Sequence, residues 1–279
     1  MIITIIGTGL IGGSMAIALK EKGFSSKIIG VDSNPEHQQR ALSLGLVDEI
    51  QDLENAVRLS EMVIVAVPVN AAEQLLPRVL DHVLNQVVMD VGSTKEGIIV
   101  SVKDHPKRSR FVATHPMWGT EYSGPDAAIK GAFVNKATVI SNKQDSDEDA
   151  VELVERIYRS LGMRLLYMEA AAHDLHAAYV SHISHITSFA LANTVLEKER
   201  EGDAIFEMAS AGFESTVRLA KSNPSMWVPI FMQNRENVLD VLNEHITQLR
   251  KFKSCLEKEN YAYLQELIEN ANKISKILR

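Results

Sequence analysis

The chain has 279 residues, 46% of them hydrophobic and 23% charged, with a formal net charge of −7. That length supports a sizeable core in one or two domains, and the acidic balance argues against nucleic acid as the main partner, because phosphate binding needs a basic face. The single cysteine, Cys255, excludes an internal disulfide, and without a cysteine cluster no structural zinc is expected.

A β-branched run, Ile2 to Ile6, feeds Gly7-Thr8-Gly9-Leu10-Ile11-Gly12, and a helical pattern follows from Ser14 to Glu21. Strand, glycine turn and helix N-terminus in that order fit a dinucleotide. Gly7 permits the tight turn, Gly9 lets the backbone approach a pyrophosphate, and Gly12 lets helix and strand pack closely. The phosphates then meet unpaired N–H groups at the positive helix end, around Leu10 and Ile11. Residues 2–19 carry no charge, but their glycines and hydroxyls make a poor membrane span. No basic segment precedes them as in a signal sequence, so no membrane association and a cytoplasmic location are expected.

A second apolar strand, Lys27–Val31, ends at Asp32, about 20 residues beyond the last glycine, where an acidic side chain accepts the ribose hydroxyls of adenosine. A carboxylate there repels a 2′-phosphate, and no arginine follows until Arg40, so NAD is favoured over NADP. A helix is expected over 35–44 and a buried strand over 62–67, ended by Pro68. A helix over 71–84 and strands over 87–91 and 111–114 come next. Val67 and Pro68, just after a strand, are placed to line the cofactor site. The polar run 141–149 reads as a surface loop before a helix to about 161, and a strand over 164–168 closes the first domain. Short apolar strands alternating with helices imply a mostly parallel sheet covered on both faces.

From Glu169 the pattern is helical only, over about 169–200, 203–221, 225–257 and 259–279, with Pro224 and Pro229 marking a break or a start. The expected architecture is therefore an α/β Rossmann-type domain, 1–168, followed by an all-α domain, 169–279. Apolar residues recur at helical spacing at Val238, Leu242, Ile246, Leu249, Phe252 and Leu256, then at Tyr261, Leu264, Ile268, Ala271 and Ile274. So small a helical part cannot bury both stripes alone, and a homodimer through the C-terminal helices is expected.

Four constellations carry chemistry. Ser93, in the run from Asp90 to Lys95, reads either as a helix N-cap with Glu96 or as a hydroxyl held near nicotinamide. His115 follows a strand and precedes a polar, glycine-rich loop, the placement of a general base near pH 7. His173, Asp174, His176, Ser181, His182 and His185 crowd one helix. Asp174, Ala178, Ser181 and His185 share a face of it if the helix is regular over about three turns. Zinc is the rival use of these imidazoles, but no HExxH pattern occurs and no metal is expected. Arg218, near a helix end, either complements the helix dipole or grips a carboxylate.

The sequences GTGLIGGS, DVGSTK, THPMWGTEYSG, HDxxxxxxSHxxH and RLAKSNPSMW, in this order, closely resemble the prephenate and arogenate dehydrogenase family over essentially the whole chain. The resemblance implies oxidative decarboxylation of prephenate with NAD to 4-hydroxyphenylpyruvate, carbon dioxide and NADH, in tyrosine biosynthesis. Its alternatives are arogenate as substrate, or an NAD-sensing protein without catalysis. By motif position His115 looks like the proton acceptor and Ser93 like the serine that hydrogen-bonds it. Arg218 and His185 resemble the groups holding the substrate's carboxylate and pyruvyl ends, and Ser181, His182, Thr120 and Glu121 resemble residues that line or gate the pocket. Some members carry a C-terminal regulatory domain, which a chain ending at Arg279 is not expected to have. Where some relatives place an acidic residue before the arginine this chain has Ser215, so a gating ion pair involving Glu121 is not implied.

Overall fold

The computed structural model describes residues 1–199 and 205–277. The expected helix limits at 200 and 203, and the last two residues of the chain, lie outside that range. By packing, the chain divides into two units, Met1–Asn234 and Arg235–Arg279.

The first unit opens with β1 (Ile2–Ile6), α1 (Leu10–Glu21), β2 (Lys27–Val31), α2 (Pro35–Ser43), β3 (Glu49–Ile50) and α3 (Leu53–Leu59). It continues with β4 (Met62–Val65), α4 (Val69–Asp81), β5 (Val87–Asp90), α5 (Glu96–Val102) and β6 (Phe111–Pro116). Then come β7 (Ala137–Ser141), α6 (Glu148–Ser160) and β8 (Arg164–Met168). The eight strands form one sheet in the order β3-β2-β1-β4-β5-β6-β7-β8. Every pairing is parallel except β6 with β7. Two of these elements, β3 and β7, are additional to the strands expected above. No α-helix lies between β6 and β7, so the chain returns antiparallel, while the helical crossover through α6 restores parallel pairing for β8.

The strand order reverses beside β1, where Ile6 is level with Val31 on one side and Val65 on the other. Ligands of open α/β sheets bind at the carboxyl ends of strands at such a switch point. Side chains alternate across the sheet with period two. Ile3, Ile5, Met62, Ile64 and Met89 join one core with α1 and α6, while Ile6, Val63, Val65 and Val88 join the other with α4 and α5. Trp227 and Ile230 pack into the second core. Each fully buried aliphatic side chain contributes about 1.5–3 kcal/mol.

After β8 the first unit is helical: α7 (Ala170–Ala177), one π turn (Ala178–His182), α8 (Ile183–Glu199), α9 (Ala211–Val217), a 3-10 segment (Arg218–Lys221) and α10 (Pro224–Gln233). The π turn adds a residue to the helical repeat, so the common face expected for Asp174 and His185 is not kept. The expected helix over 225–257 is two helices, parted at Asn234. Pro224 starts α10, whose N-cap Asn223 accepts from Ser225 N. The second unit holds α11 (Arg235–Glu257) and α12 (Tyr261–Asn272). Among the described residues no helix is long and apolar enough to cross a membrane.

Candidate active site

The glycine turn is built as its spacing requires. Gly7 has φ +91°, and a Cβ there would lie 2.4 Å from the Ala66 carbonyl oxygen; a Cβ on Gly12 would lie 2.0 Å from the Gly7 oxygen. Packing therefore excludes any other residue at both positions. Gly9 is different, because a Cβ there would meet nothing closer than 3.9 Å. Its bare backbone is not explained by neighbours. It leaves the start of α1 uncovered, with no side-chain cap and no acidic residue in the first turn, which suits a bound pyrophosphate.

Asp32 Oδ2 accepts from both Thr8 N and Thr8 Oγ1 at 2.9 Å, and Oδ1 accepts from Asn34 N at 3.0 Å. The carboxylate thus pins the glycine turn as well as standing at the end of β2. Arg40, the first arginine after it, is engaged by Asp126. Leu10 and Ile11 open α1, and Val67 and Pro68 lie between β4 and α4, so the expected cofactor residues border the same switch point. These residues fit a dinucleotide without a 2′-phosphate.

Further along the sheet, Asp90 ends β5 and forms a fully buried ion pair with Lys95. Lys95 Nζ also donates to the Thr114 carbonyl at 2.7 Å, and Thr114 N donates to Asp90 Oδ1 at 3.0 Å. Thr114 Oγ1 is 2.6 Å from Tyr158 Oη. This knot fixes the residue before His115, which lies within β6 rather than after it. His115 Nδ1 is 2.8 Å from His173 Nε2, and His173 Nδ1 is 2.7 Å from Asp174 Oδ1. Asp174 also accepts from Lys95 N at 2.8 Å and Glu96 N at 2.9 Å, capping α5 from α7. Burial holds the His115 imidazole well below the ordinary histidine range, and His173, Lys95 and His182 push it the same way. It is a neutral ring able to take a proton.

Ser93 lies half-buried on the turn between β5 and α5. The N-cap position of α5 is Lys95, so Ser93 does not cap that helix. The expected Ser93–His115 hydrogen bond is absent among the described residues. Because α7 docks on the N-terminus of α5, His173 takes the His115 Nδ1 position instead.

On the helical side, His182 Nδ1 is 3.1 Å from Asn234 Nδ2, and burial lowers its pKa to about 4 against the opposing Asp174. His185 stacks on Trp227, with ring centres 3.4 Å apart and 26° between planes. Its Nδ1 donates to the Ser181 carbonyl at 3.1 Å and burial lowers its pKa, so the neutral ring offers Nε2 as an acceptor. Arg218 Nη1 donates to Glu121 Oε2 at 3.2 Å, so Glu121 does form an ion pair here. Thr120, beside it, accepts from Tyr122 N. His182 also meets Trp227 edge-on, with ring centres 6.0 Å apart, so the two histidines share that indole.

Sequence reasoning noticed His173 and Asp174 but gave them no role, and it gave none to Trp227 or Asn234. The consecutive His-Asp pair was the available signal. Among the described residues no three His, Cys, Asp or Glu side chains are grouped to hold a metal.

Comparison with known proteins identifies the family of the chain. Residues 15–167 match the family model described as prephenate dehydrogenase, nucleotide-binding domain, and residues 169–270 match prephenate dehydrogenase, dimerization domain. The chain is 32% identical over 265 residues to prephenate dehydrogenase of Bacillus subtilis, covering 92% of this chain and 71% of that protein. It is 30% identical over 277 residues to cyclohexadienyl dehydrogenase of Zymomonas mobilis, covering 97% and 94%. The crystal structure of prephenate dehydrogenase from A. aeolicus in complex with hydroxyphenyl propionate and NAD+ superposes with TM-score 0.90 at 30% identity, over 99% of this chain and 97% of that one. Synechocystis arogenate dehydrogenase gives TM-score 0.77 at 25% identity, over 100% of both chains.

Proposed function

Because the chain belongs to the prephenate dehydrogenase family, we propose that it converts prephenate and NAD to 4-hydroxyphenylpyruvate, carbon dioxide and NADH in tyrosine biosynthesis. The observation that carries this reading is the His115 imidazole, met at Nδ1 by His173, at the carboxyl edge of the sheet that also presents the open start of α1. We assign residues 1–168 to cofactor binding and 169–279 to substrate binding and dimerisation, in the cytoplasm.

His115 Nε2 accepts the proton of the ring hydroxyl. The freed electron pair forms a carbonyl as the hydrogen on that carbon leaves as hydride. NAD, held by Gly7, Gly9, Gly12 and Asp32, supplies the acceptor for that hydride. The bond from ring to carboxylate then breaks, carbon dioxide departs, and its electron pair completes the aromatic ring while the oxygen takes the proton back from His115. Ser93 orients the hydroxyl. Arg218 grips the side-chain carboxylate, displacing Glu121, and His185, Ser181, His182 and Thr120 line the remainder.

Purified protein mixed with prephenate and NAD is expected to show the rising near-ultraviolet absorbance of NADH, and a flat trace at every pH tried would reject the reading. In the same assay Arg218→Ala raises KM for prephenate by about 10- to 100-fold with kcat little changed, the scale of a lost charge-assisted hydrogen bond. One observation favours arogenate as a second reading, since the His185 Nε2 acceptor suits an ammonium donor. Offering both substrates separately ranks them by kcat/KM.

The homodimer through the C-terminal helices is supported by Leu249, Leu256, Ile268 and Ile274, all exposed in the single chain. Light scattering is expected to return twice the chain mass at micromolar concentration, and a monomer mass would remove this part of the proposal.

A further inference from the structure

Both Asp174 oxygens act as acceptors, Oδ2 from Glu96 N and Oδ1 from Lys95 N and the neighbouring His173 Nδ1. His173 Nδ1 is therefore the protonated nitrogen of that ring, and in a neutral ring Nε2 is left as an acceptor. That acceptor lies 2.8 Å from His115 Nδ1. A contact of this length needs one hydrogen, so His115 Nδ1 carries it and Nε2 keeps the lone pair. His173 and Asp174 are both buried, which keeps water from substituting for either partner. The other ionisable groups acting on His115 are Lys95 and His182.

We propose that His173 and Asp174 are a positioning pair that selects the His115 tautomer with a basic Nε2. The same carboxylate, by capping α5, ties that choice to the turn carrying Ser93. One side chain on α7 thus both sets the protonation pattern of the base and holds the backbone two residues beyond Ser93. Neither residue of the pair touches substrate. This rests on the reading of His115 as the base, but the tautomer can be observed in the resting protein, independently of any turnover.

The test is long-range proton–nitrogen NMR on protein labelled with 15N-histidine, with the His115 signals identified by their loss in His115→Asn. The expected wild-type pattern is Nδ1 protonated and Nε2 bare at neutral pH. His173→Leu, with its fold checked by circular dichroism, is expected to shift His115 toward the other tautomer. It should lower kcat about 10- to 100-fold while KM for prephenate and NAD stays within about twofold. His173→Gln keeps an acceptor and restores most of the rate. A bare Nδ1 in wild-type His115, or an unchanged pattern with full kcat in His173→Leu, overturns the proposal. The wild-type spectrum alone decides it if the leucine variant does not fold. An unexpected substrate with the expected tautomer would reject the assigned reaction while leaving the positioning role intact.

Discussion

His115→Asn is expected to lower kcat by about 100- to 10,000-fold, the range of a lost general base, with KM for prephenate changed far less. Asparagine keeps a polar group of similar reach but cannot accept a proton near neutrality, so the loss falls on the chemical step. The pH dependence of the wild type gives a second reading of the same group. Burial is the main cause lowering the His115 pKa, so the ring stays unprotonated below the ordinary histidine value of 6.5. A base is active when unprotonated, and the acid limb of kcat/KM should accordingly fall at a pH under 6.5. Activity that rises only above neutrality, or an asparagine variant within tenfold of wild type, would remove His115 from the role.

Lys95→Met is expected to cost about 3–5 kcal/mol of stability, the penalty for leaving the partner of a buried ion pair unmatched. Lys95 and Asp90 are fully buried, and the carboxylate loses its cation while keeping, among the described residues, the donors Gly92 N and Thr114 N. Thermal denaturation should show a midpoint lowered by roughly 6–20 °C, since each kcal/mol moves a domain of this size by about 2–4 °C. The double variant Asp90→Leu with Lys95→Met should recover part of that loss, because neither member of the pair is then left buried without its counter-charge. A single variant melting with the wild type would mean that water reaches the pair.

The parts of this molecule legible in sequence are those decided by neighbours in the chain. The run from Ile2 through Gly12 announced strand, turn and helix because β-branched periodicity and glycine geometry act over a few residues. Asp32 followed from the same unit. The parts not legible depend on distant partners. Strand β7, whose pairing with β6 closes over a long irregular connection, was absent from the expected elements, and so were β3 and the seven-residue α3. The π turn at Ala178–His182 left no compositional trace, and the assumption of a regular helix put Asp174 and His185 on a common face. Ser93 looked like the cap of α5 because Glu96 stood at the right spacing, yet the capping carboxylate comes from Asp174 on α7. The resemblance supplied His115 and Arg218 but paired His115 with Ser93, whereas the fold pairs it with His173.

The Arg218–Glu121 contact has a thermodynamic corollary. A guanidinium that already holds an internal carboxylate would have to release it for an incoming anion, exchanging one oxygen acceptor for another. The free energy realised there is net of the Glu121 contact given up, so the cost of Arg218→Ala measures that surplus rather than the full strength of the new bond.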